Sequence, residues 1–234
     1  MIGILSDAHG NKPAFDLAIE VLASQGADKF VFLGDALGYL PTSGVLDSIA
    51  ALGEDRIQCI RGNHEDMILS GHFSDTNDPV YQHRLIRDLL SPADLEQIGT
   101  WPRSRCIDLP TGGVLFVHGS PIDPTFGYVY PDADLSAFAV KESIVFMGHT
   151  HRPFDRRESG VTFVNVGSCG LPRDHGSLGS AALLDEATGA VKLVRFDIRR
   201  ATNLAFGSLP EVHPSVHSML LRQPTSYEGV LLET

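Results

Sequence analysis

The sequence predicts an α/β layered fold. Five short apolar runs, rich in Val, Ile, Leu and Phe, lie in the first two thirds of the 234 residues, and a polar cluster follows each of them closely. Runs of this length and composition are typical of strands that are buried on both faces. Segments with the apolar spacing of amphipathic helices separate the first three runs. Strands that alternate with helices in this way favour a layered α/β architecture.

The first predicted elements follow one another in regular order. The five strands are Ile2 to Leu5, Phe30 to Leu33, Ile57 to Ile60, Val114 to Val117, and Ile144 to Met147. We predict the first helix from Pro13 to Gln25, because Asn11 offers a cap and Gly26 a stop. A second helix is predicted from Ser43 to Leu52.

Residues 65–98 lack the short apolar runs that predict strands, and such runs occur again after Gly160. Over residues 65–98 we predict helical segments that form a cap or flank, with one helix starting near Ser91. Residues 210–234 lack sustained periodicity, so we expect one domain over residues 1–205, followed by a tail or partner arm over residues 206–234. Three late strands, expected to close a second sheet, are Val161 to Val166, Ser180 to Leu184, and Val191 to Phe196.

Charge and hydropathy argue against nucleic-acid binding and membrane insertion as functions. The chain has 18 basic and 29 acidic residues and a formal net charge of -11, which opposes binding to nucleic acid or anionic lipid. No apolar run approaches the roughly 18 residues of a membrane helix, and the N-terminal residues lack the features of a signal peptide. We therefore expect a cytoplasmic protein with no membrane or nucleic-acid partner. A phosphate-bearing ligand would need local positive charge, which bound metal ions can supply.

Asp, His and Asn side chains gather directly after the five predicted strands. Because groups at the carboxyl ends of strands converge on one crevice in layered α/β folds, we expect them to share one site. Oxygen and nitrogen donors without thiolates suit manganese, iron, zinc or magnesium. The set is too large for one ion, whereas two ions bridged by a carboxylate recur in displacement at phosphorus. The predicted ligands are Asp7, His9, Asp35, Asn63, His118, His149 and His151.

The ordered motifs D-x-H, G-D, G-N-H-E, H-G and G-H-x-H resemble those of the calcineurin-like metallophosphoesterase superfamily. The resemblance covers residues 7–151 and implies a four-layer αββα sandwich of two mixed sheets flanked by helices. It further implies that His64 is a non-ligand catalytic histidine beside the scissile phosphate, which assists the leaving group or stabilises the transition state. We expect His64 to act as an imidazolium that protonates or hydrogen-bonds the departing oxygen. By the same resemblance, the first ion would be held by Asp7, His9, Asp35 and His151, and the second by Asp35, Asn63, His118 and His149.

The motifs also indicate a branch of that superfamily. Ser/Thr protein phosphatases continue the second motif with an Asp that orients the catalytic histidine and an Arg that clamps phosphate, but Gly38 and Tyr39 stand at those positions here. The surrounding segments are more similar to small prokaryotic phosphodiesterases of the diadenosine-tetraphosphatase-like kind. We expect substrate contacts from Asn11, Tyr39 and Arg173, the last lying in a late loop beside Asp174.

We therefore predict a dinuclear metal-dependent phosphodiesterase that hydrolyses nucleotide-type or dinucleoside-polyphosphate-type substrates through a metal-activated hydroxide. Two divalent ions are expected, with manganese preferred and iron, zinc, magnesium or nickel accepted. A phosphomonoesterase or Ser/Thr protein phosphatase-like enzyme is the alternative within enzymes. The alternative of another class is a non-catalytic protein-binding scaffold.

The expected partner is a small phosphorylated, nucleotide-like substrate, and a homo-oligomer is compatible with the sequence. The remaining histidines, His83 among them, are expected on the surface or in loops.

Overall fold

The computed structural model describes residues 1–209, 212–224 and 226–232. The strands are β1 (Ile2–Leu5), β2 (Lys29–Phe32), β3 (Ile57–Cys59), β4 (Ser104–Leu109), β5 (Gly112–Val117), β6 (Ile144–Met147), β7 (Phe154–Glu158), β8 (Val161–Asn165), β9 (Leu178–Leu184), β10 (Val191–Asp197) and β11 (Val230–Leu231). The helices are α1 (Lys12–Ser24), α2 (Gly44–Leu52), α3 (Asn63–Ser70), α4 (Asp78–Tyr81), α5 (His83–Leu89), α6 (Pro92–Thr100), α7 (Arg199–Gly207) and α8 (Pro214–Leu220).

Two mixed sheets form the centre of the fold, as expected. The first sheet has the order β11-β10-β9-β1-β2-β3, in which β1, β2 and β3 are parallel. The second has the order β4-β5-β6-β8-β7, in which β5, β6 and β8 are parallel and the two edge strands are antiparallel. The carboxyl ends of both parallel sets carry the predicted polar clusters.

The late strands divide between the sheets, which corrects the expectation that all three close the second one. Only β8 does so, whereas β9 runs antiparallel to β1 and β10 runs antiparallel to β9 in the first sheet. Every residue of β9 is buried, which fits a strand that has a neighbour on each side and a layer on each face.

The hydrophobic core has one layer between the sheets and one on each outer face. Ile4 and Val31 of the first sheet pack with Phe116 and Phe146 of the second. Helices α1 and α2 cover the outer face of the first sheet. The outer face of the second sheet is covered by residues 129–140, which include a single 3-10 turn at Leu135–Ala137.

Helix starts follow the local sequence. The Asn11 side chain accepts a hydrogen bond from the backbone N–H of Ala14 at 3.3 Å and caps α1, as predicted. The predicted helix start near Ser91 is observed at α6, where Ser91 and Asp94 form a reciprocal capping box. The middle segment contains the helices α3 to α6, and α3 contacts both α5 and α6.

The described part of the C-terminal segment lies against the body of the protein. Helix α7 packs on α1, and Val216 of α8 is fully buried in a cluster with Leu171 and Ala205. Strand β11 pairs in parallel with β10. This docking departs from the expected tail or partner arm, because apolar residues of α8 complete a local core that the sequence pattern alone does not reveal. Within the described ranges, no helix combines the length and apolar character needed to cross a bilayer.

Candidate metal centre

Loops after five strands build one polar site between the sheets. The loops after β1 and β2 run side by side, with the N–H of Asp7 donating to the carbonyl of Gly34 at 3.0 Å. In the second sheet, the N–H of Gly148 donates to the carbonyl of His118 at 2.9 Å. The backbone N–H of His149 donates to Asp7 Oδ2 at 3.0 Å and so links the two sheets. The predicted convergence of the strand-end clusters is therefore observed.

The backbone of the site is unusual. Six of its residues have a positive φ although none is glycine, and this left-handed conformation costs on the order of 1–3 kcal/mol when it is strained. Asp and His tolerate it better than most residues. The sharp turn at each position directs the side chain into the crevice immediately after its strand. The six are Asp7 (φ 58°), His9 (50°), Asp35 (59°), Tyr39 (64°), His149 (65°) and His151 (57°).

One donor group consists of Asp7, His9 and His151, all of them buried. Asp7 Oδ1 lies 3.2 Å from His151 Nε2 and 3.6 Å from His9 Nε2, and the two Nε2 atoms lie 2.9 Å apart. Asp7 Oδ1 accepts no well-directed hydrogen bond within the described residues. Buried donor atoms that face one another in this way fit a divalent cation between them.

A second donor group forms around Asp35. Its Oδ2 atom lies 3.2 Å from His118 Nε2, which is 3.0 Å from Asn63 Oδ1 and 3.1 Å from His149 Nδ1. Donor atoms of Asp35, His118 and His149 all lie within 4.8 Å of one another. Asp35 also belongs to a further such group with His9 and His64, so its carboxylate stands between the two halves of the site.

Three histidines are oriented by the backbone. In each, the Nδ1 atom faces a main-chain carbonyl, which as an acceptor places a proton on Nδ1. When Nε2 carries no proton, its lone pair can bind a cation, and such backbone contacts at Nδ1 commonly orient metal-binding histidines. The contacts are His9 with Leu37 (2.9 Å), His118 with Leu33 (2.9 Å) and His151 with Leu171 (2.5 Å).

Charges in the site are strongly coupled. Burial opposes ionisation of Asp35 and Asp7, but the adjacent His118 and His151 hold the pKa of each carboxyl below its ordinary value. Burial also disfavours protonated His118, yet the Asp35 carboxylate raises its pKa to about 9. Burial lowers the pKa of His149 to about 4 and that of His151 to about 3. The site is therefore anionic at its carboxylates and neutral at these two imidazoles at pH 7.

The Glu65 carboxylate holds together, through hydrogen bonds, the two loops that carry Asp35 and Asn63. Its Oε2 atom accepts hydrogen bonds from the N–H groups of Asp35 at 2.8 Å and Gly62 at 2.9 Å, and Oε1 accepts one from Leu37 at 3.2 Å. A Cβ atom at Gly62 would lie 2.1 Å from Asp35 Oδ1, so only glycine fits beside the carboxylate. Sequence reasoning named Glu65 in a motif but missed this role; its position three residues after Gly62, at a helix start, is a signal that could have shown it.

His64 and His83 form a contact that the sequence did not predict. His83 is buried, which corrects the expectation of a surface or loop residue, and its Nε2 atom lies 2.8 Å from Nδ1 of His64. The reason is that α5 packs on α3 and turns His83 inward. The His64 ring lies beside the metal-ligand candidates, with its Nε2 atom 4.0 Å from Asp35 Oδ2.

A pocket of about 230 Å³ opens over the donor groups. Tyr39 and Arg173 both line it, and Arg173 Nη2 donates to the Tyr39 hydroxyl at 2.5 Å. Asn11 lies elsewhere, because its amide caps α1 and donates to the Gly170 carbonyl at 2.9 Å. The lining residues are Asp35, Tyr39, Asn63, His64, Met67, Asn77, Tyr81, Phe126, Tyr128, His149, His151 and Arg173.

Comparison with known proteins agrees with this fold. Residues 1–189 match the calcineurin-like phosphoesterase superfamily domain. The chain belongs to that superfamily. Together with the phosphodiesterase and metallophosphoesterase relatives described next, this membership supports a metal-dependent hydrolase of phosphoric esters. The donor groups described above fit the divalent ions that the superfamily requires, because each offers carboxylate and imidazole atoms to one point.

Individual relatives of this calcineurin-like phosphoesterase span most of its length. It is 26% identical to phosphodiesterase YfcE of Escherichia coli K12 over 181 residues, which cover 77% of this chain and 84% of YfcE. A metallophosphoesterase from Sphaerobacter thermophilus is 25% identical with a TM-score of 0.73, covering 94% of this chain and 97% of the other. The hypothetical protein PH1004 from Pyrococcus horikoshii OT3 has a TM-score of 0.77 at 21% identity, covering 97% and 100%, and shares the fold.

Proposed function

We propose that the protein is a dinuclear metal-dependent phosphodiesterase that acts on nucleotide-type substrates. The observation that carries the proposal is the position of the Asp35 carboxylate between two donor groups. Its Oδ2 atom is 3.8 Å from His9 Nε2 on one side and 3.2 Å from His118 Nε2 on the other. A carboxylate shared between two sets of ligands is suited to bridging two cations.

The two ions are assigned to the two halves of the site. Asp35 would be the ligand common to both. Carboxylate, amide and imidazole donors without thiolate accept manganese, iron, zinc, magnesium and nickel, and of these we propose manganese as the ion to test first. The first ion is assigned to Asp7, His9, Asp35 and His151, and the second to Asp35, Asn63, His118 and His149.

Bound ions would lower the pKa of a coordinated water and neutralise charge on the phosphoryl oxygens. Around them, Arg173 supplies a guanidinium whose buried Nε atom has no hydrogen-bond partner within the described residues. We assign to it charge-assisted hydrogen bonds to the phosphoryl group. Tyr39 holds this guanidinium through its hydroxyl. The pair therefore orients the ester over the donor groups.

His64 is assigned to the leaving group. Burial lowers the pKa of its imidazole well below the ordinary value, and neighbouring cations would lower it further. A neutral His64 therefore acts by donating a hydrogen bond from Nε2 to the departing oxygen, and the expected imidazolium form is disfavoured. Such assistance to a leaving group accelerates reactions by about a hundred- to ten-thousandfold.

A diester preference is supported by the pocket wall. Phe126 and Tyr128 are exposed and line the pocket beyond the ligand residues, where a second ester substituent such as a nucleoside can stack. Gly38 and Tyr39 replace the Asp and Arg of Ser/Thr protein phosphatases. The relative YfcE is described as a phosphodiesterase. Dinucleoside polyphosphates are one substrate class compatible with this wall.

Hydrolysis by chelated protein before and after manganese is restored tests the proposal. We expect manganese-dependent turnover, faster on bis(4-nitrophenyl) phosphate than on 4-nitrophenyl phosphate, with two ions bound per chain by elemental analysis. Asp35→Asn should lose both tight loading and activity, whereas Asp88→Asn on an exposed helix face should match the wild type. Two bound ions without turnover on nucleotide diesters would favour the non-catalytic scaffold, and a preference for the monoester would favour a phosphomonoesterase.

A further inference from the structure

Within the described residues, the Nδ1 atom of His64 has one hydrogen-bond partner. His83 Nε2 lies 2.8 Å from it, and both rings are buried. Their centroids are 4.7 Å apart with an interplanar angle of 64°, so the imidazoles meet edge to face. A direct imidazole to imidazole hydrogen bond requires one ring to donate and the other to accept. The direction of this hydrogen bond therefore determines which nitrogen of His64 carries the proton.

No side chain at position 38, in the loop after β2, can serve as a second partner for His64 Nδ1. Gly38 has φ +98°, and a Cβ atom there would lie 2.1 Å from His64 Nδ1 and 2.7 Å from its Cε1. Any side chain at position 38 would displace the His64 ring. The partner has to come from another element, and the N-terminal residue of α5 provides it.

Helix α5 is tied to the helix that carries His64. Arg87 of α5 donates to the main-chain carbonyls of Ile68 and Leu69 in α3, the second at 3.2 Å. On its other side, the His83 ring lies against Phe73, at a centroid distance of 5.7 Å. These contacts fasten α5 to α3 and hold the His83 ring in place beside His64.

We propose that His83 is a positioning residue that fixes the ring and the tautomer of His64, an inference that rests on the proposed function of His64. His83 donates from Nε2 to His64 Nδ1, so that the proton of His64 resides on Nε2. That atom faces the pocket and lies 4.0 Å from the Asp35 carboxylate, an acceptor that favours the same tautomer. The hydrogen bond to the departing oxygen is then available without any rearrangement of His64.

Kinetics with matched leaving groups distinguish positioning from structural support. His83→Phe keeps a ring in the cavity but removes the donor, and His83→Gln keeps a donor at similar reach. Methyl phenyl phosphate and methyl 4-nitrophenyl phosphate share one substituent and differ in the basicity of the leaving oxygen. We expect kcat of His83→Phe to fall about 10- to 100-fold on the phenyl ester, far less on the nitrophenyl ester, with KM unchanged. His83→Gln should restore most of the rate, and the exposed His72→Gln is the matched control.

A measurement on the wild-type protein tests the contact without any variant. In zinc-loaded protein labelled with nitrogen-15 at histidine, we expect a scalar coupling between His64 Nδ1 and His83 Nε2 and a proton on His64 Nε2. Absence of the coupling, or a proton on His64 Nδ1, would overturn the inference even if the enzyme is active.

The outcomes separate this inference from the proposed function. If His64→Ala and the wild type hydrolyse diesters equally, the role of His64 fails and the inference fails with it. If His64 is essential but His83→Phe lowers kcat equally on both esters, or has no effect on either, the proposed function stands and only the positioning role of His83 is rejected. Elemental analysis and circular dichroism confirm that each variant is folded and loaded.

Discussion

His118 Nε2 lies 3.2 Å from Asp35 Oδ2 and 3.0 Å from Asn63 Oδ1, while its Nδ1 atom faces the carbonyl of Leu33. Both ring nitrogens therefore point at acceptors. This arrangement suits a doubly protonated imidazole, and the Asp35 carboxylate raises the pKa of His118 to about 9 despite its burial. A cation that binds at the Nε2 side has to displace a proton.

Metal binding should release a proton near neutral pH. Because His118 is protonated below about pH 9 in the metal-free protein, the apparent affinity should rise by about tenfold per pH unit up to that value. Titration calorimetry of chelated protein in buffers of different ionisation enthalpy measures the number of protons released. A binding heat that is independent of the buffer would contradict the prediction.

Glu65→Gln should weaken the site and the fold together. The amide would place a donor against one of three backbone N–H groups that now share a carboxylate, and an unsatisfied buried group costs about 1–3 kcal/mol. Urea unfolding should show this loss, and elemental analysis should show lower metal occupancy. Glu96→Gln, on an exposed position of α6, is the control that should leave both unchanged.

Arg173→Ala should raise KM strongly and should change the bound metal content little. A hydrogen bond to a charged group contributes about 1.5–3 kcal/mol, which corresponds to roughly a 10- to 150-fold rise in KM. Tyr39→Phe should show the same direction with a smaller change, because the guanidinium loses only its support. Steady-state kinetics on a phosphodiester provide the measurement, with the exposed Arg152→Ala as control. An unchanged KM in Arg173→Ala would rule out its role at the phosphoryl group.

Stability of the metal-free protein should fall in mild acid partly through His83. Burial lowers the pKa of His83 in the folded state to about 4, whereas an unfolded histidine titrates near its ordinary value of about 6.5. The unfolded chain therefore binds the proton first, so stability is retained above about pH 6.5 and is lost as the pH falls toward 4. Urea unfolding at several pH values should show a shallower decline in His83→Gln than in the wild type. An equal decline in both proteins would argue against the buried, neutral state of His83.

The central strands that carry the site were predicted more accurately from the sequence than the strands at the edges of the second sheet. Strands β1, β2, β3, β5 and β6 lie within one or two residues of their expected limits, because buried central strands leave unmistakable apolar runs. Strands β4 and β7 were missed, since they are the edges of the second sheet and alternate polar with partly buried residues.

The candidate ligands could be named from their positions at strand ends, but their supporting contacts could not. Glu65 acts on loops 30 residues away in sequence, and His83 depends on how α5 packs against α3. Neither relationship leaves a periodic pattern in the chain. For Asn11 the sequence suggested two roles, a helix cap and a substrate contact. In the structure its side chain caps α1 and does not line the pocket.

The pairing of β11 with β10 has a consequence for handling the protein. A boundary at residue 205 would remove β11 and the buried side chain of Val216, and would leave Val194 and Arg195 of β10 without the strand they pair with. Open strand edges recruit other chains, so shortened forms ending there should aggregate during purification. Expression of this protein for biophysical work is therefore best planned with residues 206–234 included.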